Sequence, residues 1–261
     1  MKTKELLILV CVFCLAFNSQ AAEPIKGDGT LTTQKISLDD FNEIRINGEM
    51  QFHYEQSDAT PQIEITIDQN LYPHLKVEVK NRILTVEFKK VKVESVTKFV
   101  VKANSKWLKA TRVAGNAGFI VESPLEGDEM EMRGTANCLV QFKKPVRVGR
   151  LDLIVKQSAN IMAEVIESEY LKCDMDGSGS ITLKSGDAMI GNFSITGSSD
   201  IHAFGVEIPS VTCKITGSGL AEVNATDHLK ASVIGKGAIR YKGSPSVTNT
   251  IIGGGTIEKT Q

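Results

Sequence analysis

Four histidines, the cysteines at 138, 173 and 213, and a set of aspartates near glycine turns are the residues here equipped to ligate metal or move protons. His53, His74, His202 and His228 are scattered, and none belongs to a His-x-Glu-x-x-His spacing. Beyond the apolar run at the start, where Cys11 and Cys14 stand, no Cys-x-x-Cys occurs either, so the rest of the chain carries no zinc-site signature. A serine nucleophile elbow, Gly-x-Ser-x-Gly, is missing as well. Asp174, Asp176, Asp187, Asp200 and Asp227 sit at or near turns, where aspartate satisfies local backbone groups. Glu222, Arg240 and Glu258 share a different pattern: each falls five residues after a Gly-rich turn. Glycoside chemistry needs carboxylates clustered about one bond or several around Ca²⁺. A spaced row of alternating charge is what neighbouring strands favour for pairing alone. Neither catalytic residues, nor a cofactor, nor a metal site is therefore assigned, and the binding residues stay unspecified.

What positions these residues is a repeat. Turns open at Gly177, Gly197, Gly217, Gly235 and Gly253, at intervals of 20, 20, 18 and 18 residues. Two positions before each turn stand Met175, Ile195, Ile215, Val233 and Ile251; four after it stand Ile181, Ile201, Ala221, Ile239 and Ile257. Polar residues alternate with them: Asp174, Ser194, Lys214, Ser232 and Thr250 before the turn, Thr182, His202, Glu222, Arg240 and Glu258 after it. Period-two alternation on both sides of a turn means two short strands per copy, one face inward. Like residues recurring in columns make each copy one coil of a solenoid. The Gly-Ser-Gly turns lead into strands, so they are not phosphate cradles, which open helices.

The template extends backwards. Val155 and Ile161 fit it, Val113 and Phe119 flank Gly115, and Met132 and Cys138 are read as flanking Gly134 in the same way. Ile46-Asn47-Gly48, followed by Phe52, is the first copy. Nine copies stacked at the strand spacing make a rod of about 40 Å. The long interruption between Gly48 and Gly115 holds alternating strands at 63–67, 77–79 and 84–88, with a helical turn expected around Leu71 to Leu75. This antiparallel insertion, about residues 61–101, is placed to cap the rod, since an open end leaves strand edges exposed.

Residues 1–22 read as a secretory signal peptide: Lys2 and Lys4, an apolar run from Leu6 to Phe17, then small residues at Ala21-Ala22. The run is too short for a membrane span of about 20 residues. Residues 23–34 are a polar leader, 35–261 one β-solenoid domain, and 171–259 its best repeats. With 30 basic and 31 acidic residues, there is no electrostatic footprint for nucleic acid. Cys173 and Cys213 share an inward column, yet Phe193 stands between them. Two coils span about 9.6 Å, beyond the roughly 7 Å limit for a disulfide. Cys138, Cys173 and Cys213 are accordingly expected to be buried, reduced thiols.

One succession of motifs runs the length of the chain: Gly27-x-Gly29, Phe41-x-x-Ile44-x-Ile46-x-Gly48, Asn70-Leu71 before Val77-x-Val79 and Leu84-x-Val86, the Gly-Ser-Gly turns, and Tyr241-x-Gly243-x-Pro245. It resembles the putative auto-transporter adhesin family with the head GIN domain, over about Gly27 to Lys259. The resemblance implies export in a Gram-negative envelope (periplasm, outer-membrane surface or outside) and a right-handed β-helix-like solenoid; it brings no catalytic motif. The fold class expected is thus all-β, a right-handed β-helix-like solenoid of 18–20-residue coils with an N-terminal antiparallel insertion. The function expected is a non-catalytic binding or adhesion module whose flat β-face meets a glycan or an envelope or host protein. A polysaccharide lyase or hydrolase, and a purely structural envelope protein, are the alternative readings.

Overall fold

A computed structural model describes residues 23–260; the expected signal peptide lies outside them. The strands form a β-solenoid of about eight turns, against nine copies counted in the sequence. Tyr72–His74 form a short 3-10 turn where the sequence places a helical break.

A coil consists of a long strand, a corner and a short strand, as in Ile166–Gly177 followed by Ser180–Leu183. The ladder to the preceding coil is broken at Gly149 and Glu169, so the long strand bends and gives each coil three straight sides. Pairing between coils is parallel, and it places the predicted columns face to face. Met175 pairs Ile195, Ile195 pairs Ile215, and Ile215 pairs Val233. Cys173, Phe193, Cys213 and Ala231 line up beside them. These inward residues are at most 2% exposed. Side chains two apart on one coil share a face, so stacking coils converts a weak alternation into a continuous core. Ile251 belongs to the same column but is 44% exposed. The strand that carries it, Ser246–Gly253, has a coil on one side only among the described residues.

The corner is a column of its own. Positive φ recurs at Gly48, Gly115, Ala136, Gln157, Gly177, Gly197, Gly217, Gly235 and Gly253. The backbones of adjacent coils come close here: a Cβ built on Gly197 would lie 2.5 Å from the Gly177 carbonyl oxygen. Glycine is required there for space as well as for φ. One sequence assignment shifts. Gly134 is not a corner but pairs with Val113 and Val155 inside the core, and the corner of its coil is Ala136. Gly134 is small because a Cβ would stand 3.0 Å from the Ala159 Cβ and 3.1 Å from Cys138 Sγ. Cys138 therefore falls two residues after its corner, in the row of Ala117, Ala159 and Gly179, and away from the row of Cys173 and Cys213.

At the other end the strands Ile83–Phe88 and Val100–Ser105 add a further parallel layer on the Gly48 coil. Antiparallel strands then cover that layer: Leu75–Lys80 on the first, Gln62–Asp68 on the second, and Leu31–Ser37 outside Gln62–Asp68. Asp68 clasps the leader. Its fully buried carboxylate accepts from the Gly29 and Thr97 amides at 2.9 and 2.8 Å. A Cβ on Gly27 would lie 2.5 Å from that carboxyl group. The Gly27-x-Gly29 motif thus has a physical cause: the first glycine makes room for Asp68, and the second, at φ +81°, turns its amide toward it.

Candidate functional site

Outward residues form ladders just as inward ones form columns. On one side of the prism Lys172, Asn192, Thr212, Lys230 and Thr248 succeed one another, coil by coil. Asp174, Ser194, Lys214, Ser232 and Thr250 run parallel to them. Residues on neighbouring parallel strands repeat about every 4.8 Å, so this side is a flat, regularly spaced polar surface.

The predicted titratable residues go to different places. His202 and Glu222 are brought together, with Nδ1 2.7 Å from Oε2, and Arg240 Nη1 reaches the other oxygen of Glu222 at 3.8 Å. Glu258 follows Arg240 in the ladder. His53 lies far from this row, with Nδ1 2.8 Å from Glu122 Oε1, and Lys143 Nζ meets the same oxygen at 3.0 Å. That bond to His53 is the main reason why the Glu122 carboxyl is held below the usual glutamate range; Lys143 adds to it. His228 bonds the Ser246 hydroxyl at 2.7 Å, and His74 ends the short 3-10 turn. Of the turn aspartates, Asp200 satisfies a backbone group as expected, accepting from the Leu220 amide at 3.0 Å, while Asp176 instead pairs with Lys156 at 3.1 Å. Asp174 stands 3.8 Å from Lys172. Glu222, Glu122, Asp174, Asp176 and Asp200 thus have structural partners, the pattern of a charge ladder, whereas the Asp187, Asp227 and Glu258 carboxylates have none among the described residues.

Two arrangements escape a reading by turn motifs. Arg150 stacks over the Tyr170 ring at 4.3 Å, and the Tyr170 hydroxyl accepts from Asn192 at 2.6 Å. Glu167, Asp187 and Glu207 form a row of three acids, with Arg147 joined to the first at 2.9 Å. The 20-residue interval between members was the available signal, on a side of the coil where the alternation is too short to stand out.

Cys138, Cys173 and Cys213 are free and buried. Phe193 separates Cys173 from Cys213 in the ladder, as expected. Burial raises both thiols, that of Cys213 to about 12, so at neutral pH neither offers a thiolate to metal or oxidant.

Similarities to known proteins follow the same outline. The family model described as putative auto-transporter adhesin, head GIN domain, matches residues 40–245. A putative adhesin from Parabacteroides distasonis ATCC 8503 is 55% identical, with 91% of this chain and 100% of that one covered and a TM-score of 0.89. A putative adhesin from Parabacteroides merdae ATCC 43184 is 50% identical, with 92% and 100% covered and a TM-score of 0.90. A protein from Parabacteroides distasonis described as a putative lipid binding protein is 33% identical, with 92% and 100% covered and a TM-score of 0.88. Among curated proteins none matches.

Proposed function

Because the chain belongs to the putative auto-transporter adhesin, head GIN domain family, we propose that it is an exported, non-catalytic binding module of the bacterial cell envelope. The observation that carries this reading is the flat polar side of the solenoid, whose Lys, Asn, Thr and Ser ladders keep a fixed spacing over five coils. A surface held rigid by its core loses little conformational entropy when it meets a ligand. Regular spacing also matches ligands that are themselves repetitive, glycan chains above all. The alternative, a carbohydrate-cutting enzyme, would want a general acid whose pKa is raised toward neutrality. Glu222 is instead tied to His202 and Arg240, and Glu122 is held ionised. Among the described residues no helix is long and apolar enough to cross a membrane.

The test is binding by residues 23–261, purified without residues 1–22, to a glycan array, to immobilised envelope proteins and to phospholipid vesicles. Saturable capture by glycan or protein supports the reading. Capture by vesicles alone would replace it with a lipid-binding role, as described for the 33% identical relative.

A further inference from the structure

The only tryptophan of the chain, Trp107, stands 44% exposed on the loop between Val100–Ser105 and Ala110–Ala114. It borders two open depressions, of about 300 and 450 Å³. Lys109 and Glu129 carry the second into a third, of about 410 Å³. We infer that this trough binds a neutral oligosaccharide, with the Trp107 indole as the platform on which a sugar ring stacks. The inference rests on the binding role proposed above and moves the principal contact from the flat side to the loop.

The backbone that carries the platform is pinned from beneath. The Tyr54 hydroxyl lies 2.9 Å from Ser105 Oγ, and Ser105 Oγ donates to the Trp107 carbonyl at 3.1 Å. Leu108 is buried, and the Lys109 amide donates to the Asn42 carbonyl at 2.8 Å. Among the described residues Trp107 is the one large aromatic side chain left exposed, whereas the other exposed large apolar side chains, such as Met189 and Ile190, are aliphatic. The next coil brings carboxylates alongside. Gln56 grips the backbone of Glu126 twice, accepting from its amide at 3.0 Å and donating to its carbonyl at 2.9 Å. Asp128 has no ion-pair or hydrogen-bond partner for its carboxylate among the described residues, and Glu126 approaches Arg147 only at 3.9 Å.

An indole face, with Lys106 Nζ 5.9 Å from its centroid, beside carboxylate acceptors is the complement of a pyranose, whose C–H face stacks on indole while its hydroxyls donate. Charge selects within that class. Around Trp107 the acids Asp58, Glu126, Asp128 and Glu129 outnumber Lys106 and Lys109, so a polyanionic chain is disfavoured and a neutral one accepted. Gly127 lines the second depression, and a Cβ there would meet nothing within 4 Å on a backbone that is not left-handed. Gly127→Leu consequently adds a bulky side chain at the lining without a steric clash at its Cβ.

With one tryptophan in the chain, fluorescence reads the site directly. Cellohexaose, chitohexaose and lacto-N-neotetraose are titrated as neutral probes, with heparin and polygalacturonate as polyanions. A saturable change in tryptophan emission is expected with at least one neutral probe and with neither polyanion. Gly127→Leu and Trp107→Ala should weaken binding of that probe, measured by calorimetry, by about tenfold or more, while Trp107→Phe retains part of it. Thermal unfolding of Gly127→Leu at the wild-type temperature establishes that its loss is local. Neutral-glycan binding that neither variant weakens would overturn the site and leave the binding-module reading standing. A preference for the polyanions, or an array without any glycan ligand, would overturn the ligand class. Protein capture abolished by Gly127→Leu would likewise overturn it and hand the trough to a protein partner.

Discussion

Truncating Ile215 to alanine should be among the most damaging single changes in the solenoid. Its side chain is fully buried between Ile195 and Val233. Large-to-small changes in a core cost about 2–5 kcal/mol, depending on how far the site collapses. Collapse is restricted here, because backbone ladders fix the distance between coils on every side. Ile215 Cγ2 also lies 2.6 Å from where a Cβ of Gly237 would be, so it packs directly against the next coil's backbone. The upper half of the range, about 3–5 kcal/mol, is expected. Two controls isolate the cause. Lys214, the outward neighbour, should cost well under about 1 kcal/mol on truncation. Ile251 occupies the same column at its uncovered end and is 44% exposed, so Ile251→Ala should cost less than half as much as Ile215→Ala. Urea unfolding followed by far-UV circular dichroism gives the three values, provided the slopes agree. A Lys214→Ala variant less stable than Ile215→Ala would mean that the inward and outward faces are exchanged. Equal costs for Ile215→Ala and Ile251→Ala would refute the link between stacking and burial.

Gly197→Ala should destabilise by more than about 2 kcal/mol, since it adds left-handed backbone strain to a Cβ built 2.5 Å from the Gly177 oxygen. At Gln157, whose φ is +60°, glycine should instead be neutral or raise stability by up to about 1 kcal/mol; thermal unfolding measures both. Asp68 gives an acid-labile clasp. Burial pulls its pKa up, but the Thr97 and Gly29 hydrogen bonds outweigh that and hold it below the ordinary value. A depressed folded pKa stabilises fully above the unfolded value of about 3.9 and is lost as pH falls through the folded one. Stability should therefore drop below about pH 4, and Asp68→Asn should flatten that slope in urea titrations at several pH values. Alkylation under denaturing conditions without reductant should modify Cys138, Cys173 and Cys213; a bridge between the last two would break the column alignment.

The repeats after Leu171 were legible because glycine occupied every corner and like residues recurred above one another. The two coils before them were faint for a physical reason: their corners, Ala136 and Gln157, adopt positive φ without being glycine. A reading keyed to glycine therefore settled on Gly134, which is small to accommodate Cys138. At the N-terminus the alternation of residues 83–88 and 100–105 was visible, but not their parallel pairing with the Gly48 coil, which depends on partners about 40 to 50 residues away. The trough around Trp107 was hidden for a similar reason. Residues 56–58, 106–109 and 126–129 meet only once the coils are stacked, whereas the row of His202, Glu222, Arg240 and Glu258 could be traced by counting coils.

The claim that this chain binds without cutting is tested most directly by polymer length. A soluble polysaccharide that the protein retains on a column is incubated with it to saturation, eluted, and sized by multi-angle light scattering. Binding with an unchanged chain-length distribution is the predicted result. Retention accompanied by progressive shortening, absent from a buffer control, would contradict the account and make the protein a carbohydrate-cleaving enzyme.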